Sequence, residues 1–150
     1  MAMVIERTNW IILAVAGALS ACAIPSWPPL VEPVAAETLV GVEWVAVAID
    51  GVVPLVNPTP KLQWKSSSQI VGTGGCNAFI GHGRVVGDSV RIGQLAATGK
   101  ACITAPTGQE DLFFKALEET RKARLENGQL ILLDESGKTR ARFVKVSTAP

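Results

Sequence analysis

Few side chains of this 150-residue chain have the chemistry to react: three cysteines, Cys22, Cys76 and Cys102, and a single histidine, His82, with no tyrosine at all. Thiols and an imidazole allow three arrangements. Cys76 and Cys102 can oxidise to a disulfide, the first reading of a cysteine pair in an oxidising compartment. Together with His82 they would form a three-ligand metal set with an open position, but no fourth ligand stands at motif spacing and oxidation competes for both sulfurs. Cys76 with His82 as nucleophile and base has no recognisable orienting partner. The shortage of acids, bases and nucleophiles points to binding rather than catalysis. The expectation is no catalytic residue, no metal and no cofactor.

Charge narrows the partners. Fourteen Lys and Arg face thirteen Asp and Glu, a formal net charge of +1, whereas neutralising a phosphate backbone needs a basic excess. No nucleic-acid partner is expected. With 48% hydrophobic and 18% charged residues the chain is not a disordered polyampholyte, and its length suits one folded domain.

Whether those thiols meet an oxidising compartment depends on the N-terminus. Trp10 to Leu19 (WIILAVAGAL) is an unbroken apolar and small run behind Arg7, whose charge Glu6 partly offsets. Ten helical residues rise about 15 Å, half of a hydrocarbon core of about 30 Å, so this run reads as the apolar region of a secretory signal and not as a mature membrane span. Leu19-Ser20-Ala21-Cys22 follows, an aliphatic residue, two small ones and a cysteine, and resembles the lipobox of bacterial lipoproteins. That resemblance implies cleavage before Cys22, a lipid on its thiol and attachment to a membrane. Ala23 stands where an inner-membrane retention signal would have Asp, so the expected place is the outer membrane, facing the periplasm. Ala23 to Glu37 holds Pro25, Pro28, Pro29 and Pro33 and reads as an extended tether. The expected organisation is a signal at 1–21, a Pro-rich tether at 22–38, a domain at 39–147 and a tail at 148–150.

The elements that must position the cysteines and the histidine are mostly strands. Glu43 to Ile49 alternates with Trp44, Ala46 and Ala48 on one face and Val45, Val47 and Ile49 on the other, both apolar. Asp50-Gly51 closes it. Lys61 to Lys65 turns Leu62 and Trp64 inward, and Ser66 to Ser68 leads into Gln69 to Thr73. Gly72, Gly74, Gly75, Gly81 and Gly83 suggest bulges, close approaches or positive φ rather than long regular strands, which leaves His82 in an exposed loop. Gly87-Asp88 turns the chain into Ser89 to Ile92. One helix is expected over about 107–121, opened by a capping box of Thr107 and Glu110, with Leu112, Phe113, Ala116, Leu117 and Thr120 at helical spacing. Asp111 with Lys115 and Glu118 with Lys122 would pair along its wet side. Asn127-Gly128 and Ser136-Gly137 then turn between Lys122 to Leu125, Gln129 to Leu133 and Thr139 to Val146. The fold class is therefore α+β: a mostly antiparallel curved sheet or open barrel, with one main helix inserted before a C-terminal β-hairpin.

Five segments, in order, carry a family resemblance. Leu39-Val40-Gly41-Val42-Glu43-Trp44 resembles the opening L-x-G-x-x-W of the META-domain family, the HslJ-like heat-shock proteins of bacteria. Gly74-Gly75-Cys76-Asn77-Ala78-Phe79-Ile80-Gly81 resembles its central G-C-N-x-F/Y-x-G signature, and Leu95 to Cys102 its L-A-x-T-x-M-A-C segment. Gln109-Glu110 with Phe113 to Leu117 resembles its E-x-x-F-x-x-A-L helix, and Leu130 to Phe143 its closing hairpin with a D-x-x-G turn. Lys100 stands where the family usually has Met, and His82 where an aromatic is common. The resemblance implies a small mixed α/β domain in the cell envelope, linked to stress and antibiotic tolerance, novobiocin in particular. It implies no catalytic site.

Three functions fit these readings. The first is an envelope stress or maintenance lipoprotein, not an enzyme, that binds an envelope protein or component through the loop of Gly74, Gly75, Asn77, Phe79 and His82. A second is a small-ligand binder with a pocket lined by Trp44, Trp64 and Phe79, although aromatics at alternating strand positions are more often packing. The third is a periplasmic enzyme inhibitor.

Overall fold

The computed structural model describes residues 31–32, 34–54, 57–101 and 108–146. The signal, the lipobox Leu19 to Cys22, the start of the Pro-rich run, Cys102, Thr107 and the tail lie outside the described residues.

Among the described residues, nine strands and two helices follow one another: β1 (Val31–Glu32), α1 (Ala36–Leu39), β2 (Glu43–Ile49), β3 (Lys61–Trp64), β4 (Gln69–Thr73), β5 (Ala78–Val86), β6 (Ser89–Ala97), α2 (Gln109–Glu118), β7 (Lys122–Glu126), β8 (Gln129–Leu133) and β9 (Thr139–Lys145). The strands form one antiparallel sheet in the order β1-β7-β6-β5-β4-β3-β2-β9-β8. Because β8 also pairs with β7 along its length, the sheet closes on itself. The expected curved antiparallel sheet, with a helix before the C-terminal strands, is thus what the chain builds, and it goes beyond an open barrel. The closing seam is narrow. β6 meets β7 at Ser89 and Lys122, supported by Val90 N donating to Arg121 O and Ala123 N to Asp88 O. β1 takes the rest of that β7 edge, Val31 opposite Glu126 and Glu32 opposite Leu125. The end of the run read as a tether is therefore built into the fold, and Val34 is buried with Leu39 of α1.

Two hairpin turns follow directly from their residues. Asp50 and Gly51 (φ 48° and 81°), and Asn127 and Gly128 (φ 51° and 76°), both take the left-handed conformations of a two-residue hairpin turn.

Alternation places most of the core. Leu62 and Trp64 of β3 are fully buried, as their spacing predicts. In β2 the strict two-face pattern fails, because a bulge between Ala46 and Ala48 shifts the phase and points Ile49, not Ala48, inward with Trp44 and Ala46. The glycines do make close approaches, yet Gly81 and Gly83 lie within the nine-residue strand β5. A Cβ on Gly83 would come within 2.3 Å of Ile70 Cγ2, and that closeness lets Trp64 Nε1 donate to Gly83 O at 3.2 Å.

The main helix is shorter than expected and starts differently. It spans Gln109–Glu118, and its N-cap is Gly108 at φ 94° with no side-chain cap. Glu110 does not serve a capping box. Lys115 pairs with Glu119 and not with Asp111, while Lys122 has already entered β7. The inward face is as spaced: Phe113, Ala116, Leu117 and Thr120 are buried. Phe113 touches Phe79, Phe114 and Phe143 at centroid distances of 6.1, 6.1 and 6.2 Å, which brings the chain's four phenylalanines into one cluster. At the other end of α2, Glu119 pairs with the buried guanidinium of Arg140 on β9, which also binds Asp50 at 2.9 Å.

Candidate functional site

The connection from β4 to β5, Gly74-Gly75-Cys76-Asn77, sits against the first turn of α2. Glu110 Oε2 accepts from the backbone N of Cys76 at 3.2 Å and of Asn77 at 2.6 Å. Glu110 Oε1 accepts from Asn77 Nδ2 at 2.7 Å. The other end of the Asn77 amide faces the end of β6: its Oδ1 accepts from Thr98 Oγ1 and from Lys100 N, both at 2.8 Å. One half-exposed carboxylate and one buried carboxamide thus join three segments far apart in sequence. Asn77 fits because it offers a donor and an acceptor on one short planar group, which neither Asp nor Ala provides.

The two glycines make room for this joint. A Cβ on Gly74 would lie 2.5 Å from Glu110 Cγ, and Gly75 holds φ +117° with Pro58 O 3.0 Å from where its Cβ would be. Gln109 Nε2 donates to that same Pro58 carbonyl at 3.3 Å. Cys76 is half of a disulfide, its Sγ 3.5 Å from Lys100 O; the expected partner, Cys102, lies outside the described residues.

The residues expected to form one binding loop therefore separate. Gly74, Gly75 and Asn77 build the corner, Phe79 is core, and His82 stands on the outer face. Trp44 and Trp64 are core as well. His82 is exposed but lies in the middle of β5, opposite Gln69 of β4 and Gly93 of β6, and not in a loop. Beside it a groove of about 340 Å³ is lined by Ser68, Gln69, Ile80, His82, Gln94 and Ala96, among others. Gln94 sits there at φ 51°, where the β5–β6 register shifts between Ile80 and His82; such bulges bend a strand and re-aim its side chains. Among the described residues, no group of three His, Cys, Asp or Glu side chains is placed to hold a metal ion. Sequence reasoning missed the role of Glu110, whose partners lie more than thirty residues away.

A sheet closed around a four-phenylalanine cluster, with its single main helix latched by a Gly-Gly-Cys-Asn corner, defines a class of small α+β domain. Residues 37–147 match the META domain, and the chain belongs to that family. Its fold is similar to an NMR structure of a protein from Burkholderia xenovorans, at 25% identity over 75% of this chain and 86% of that one, with a TM-score of 0.59. A second NMR structure is similar at 22% identity, over 74% of this chain and 94% of that one, also with a TM-score of 0.59. No curated protein matches the chain.

Proposed function

We propose that this chain is a lipid-anchored envelope protein, held at the periplasmic face of the outer membrane, that works by binding and not by catalysis in envelope stress or novobiocin-type antibiotic tolerance. The observation that carries the reading is the join of two parts. Leu19-Ser20-Ala21-Cys22 closes a short apolar run, and the META domain beyond it holds its most elaborate polar cluster, around Asn77 and Glu110, bonded to itself. Groups so bonded serve the scaffold and are not free to act on a substrate. Binding is left to the exposed faces of a rigid sheet. Cys76 pairs with Cys102 in this reading, since Lys100, two residues before Cys102, already touches the Cys76 sulfur. Closing that loop contributes on the order of 3 kcal/mol.

Crosslinking in cells, followed by identification of the captured envelope component, tests the binding role; a clean absence of partners under stress and at rest sinks it. Cys22→Ala, followed by membrane fractionation, tests the anchor, with release from the membrane fraction expected. A second reading, small-ligand binding, would use the groove beside His82, where Ser68, Gln69, His82 and Gln94 stand among apolar surface from Ile80 and Ala96.

A further inference from the structure

The register of β5 and β6 sets Arg84 directly opposite Arg91, and both are exposed. Opposed residues of an antiparallel pair share a face with their Cβ atoms about 5 Å apart, and like charges there repel. Among the described residues no carboxylate lies within ion-pair distance of either guanidinium. Elsewhere in the sheet Lys61 is matched by Glu43, Arg124 by Glu126 and Arg140 by Asp50, while Arg142 and Lys145 of β9 have no carboxylate within ion-pair distance among the described residues. Lys122 shares a groove with Glu32 and Asp88. What sets Arg84 and Arg91 apart is that they are directly opposed like charges, in a chain of net charge +1. His82 lies two residues from Arg84 on the same face, and Val86, 61% exposed, ends the stripe at the β5–β6 turn.

We propose that this outer face of β5 and β6, centred on Arg84 and Arg91, docks on the anionic phospholipid headgroups of the membrane that carries the anchor. The proposal rests on the anchored reading for its occupant. The place where the chain enters the fold argues for that occupant. β1 pairs on the same edge of β7 that β6 uses, and Glu32 of β1 lines one groove with Asp88 of the β5–β6 turn. The lipid-bearing end thus leaves the domain at the end of the sheet toward which the β5–β6 turn points, past the turn that the Arg84–Arg91 pair leads up to. From Cys22 to Val31 the chain reaches at most about 30 Å. A surface held that close is at high effective concentration for any face that matches it, and phosphates supply the counter-charge that the Arg84–Arg91 pair lacks. Val86 adds an apolar contact at the headgroup level.

The test is vesicle flotation of the mature chain from residue 22 carrying Cys22→Ser, so that no acyl chain contributes. Vesicles of phosphatidylcholine alone are compared with vesicles containing about one third phosphatidylglycerol, at low and at physiological salt. Flotation with the anionic vesicles only, weakening as salt rises, is expected. Arg84→Gln with Arg91→Gln should weaken it about 25-fold, roughly fivefold per charge, while Lys115→Gln on α2 leaves it unchanged; cooperative melting at or above the wild-type midpoint shows that the variants are folded. Equal flotation with both vesicles, none with the anionic ones at low salt, or an unaffected double variant overturns the proposal. So does tighter binding of a single-stranded oligonucleotide or an acidic peptide than of the anionic vesicles. Because the assay omits the anchor, it fails separately from the Cys22→Ala fractionation, which reads the anchored role itself.

Discussion

Two polar regions of this domain use similar residues to opposite ends. At the Gly74–Asn77 corner, donors and acceptors face one another: Glu110 takes up two backbone amides and a carboxamide, and Asn77 holds the end of β6. On the outer face of β5 and β6, two arginines oppose each other with no carboxylate within ion-pair distance among the described residues. The corner is satisfied and partly buried, and the face is unsatisfied and wet. In the first, polarity fixes where α2 sits. In the second it costs the fold something and leaves charge for an outside partner, so exposure alone does not distinguish a binding loop from a structural joint.

The largest effect separating the two regions is expected from Asn77→Ala. The change removes the donor to Glu110 Oε1 and the oxygen that accepts from Thr98 Oγ1 and Lys100 N. Each hydrogen bond lost in this partly buried site costs about 0.5–1.5 kcal/mol, so a loss of about 3 kcal/mol is expected in urea unfolding. A loss under about 0.5 kcal/mol would mean that the corner is decoration. Glu110→Gln comes next, at about 1–2 kcal/mol, because one carboxylate oxygen becomes an NH₂ facing the Cys76 and Asn77 amides. If Glu110→Gln proves as stable as the wild type, the helix is held by Phe113 and its neighbours alone.

How much of this was legible in sequence follows the range of each interaction. The Asn127-Gly128 turn and the strands around it could be read because a two-residue turn fixes register locally. Leu62 and Trp64 could be read from alternation. Glu110 could not, since spacing shows only the nearby Thr107 as a partner, and the true ones stand 33 and 34 residues earlier. The bulge at Ala46 to Ala48 was hidden because both faces of β2 are apolar, so a slip in phase leaves no polar residue on the wrong side. The Arg84–Arg91 opposition did leave a signal. Carrying the Gly87-Asp88 turn back along both strands pairs them, but Gly81 and Gly83 on either side of His82 weaken the strand pattern that this register needs.

A third cluster separates geometry from burial. Asp134, in the turn between β8 and β9, accepts from Ser136 N, Ser136 Oγ and Lys138 N at 2.9, 2.6 and 3.0 Å, much as Glu110 gathers its donors, but through hydrogen bonds that are exposed. The Ser136 hydroxyl above all, with the two backbone amides, holds its carboxyl below the ordinary value. A depressed carboxylate pKa means that the unfolded state binds the proton more readily, so the contribution is present above the unfolded value, about 4, and is lost as pH falls through the folded one. Asp134→Ala should therefore cost less than either corner variant at pH 7 and should flatten the acid limb of the stability curve below about pH 4. A cost equal to that of Asn77→Ala would show that donor count, and not burial, gives the corner its weight.

The smallest expected effect has the opposite sign. Arg84→Gln removes one of two like charges on directly opposed residues, a pairing that destabilises an antiparallel sheet by a fraction of a kcal/mol. The variant should unfold at slightly higher urea, by about 0.2–0.5 kcal/mol, and the gain should fade in salt because both groups are exposed and screened. Arg91→Gln should do the same, and adding it to Arg84→Gln should give little more, since the repulsion is already gone. Additive gains would show two independent surface effects and no shared electrostatic strain. A loss in either single variant would mean that the arginines pack usefully on the sheet through their methylene stems, and the contrast with the corner would then shrink to a difference in exposure.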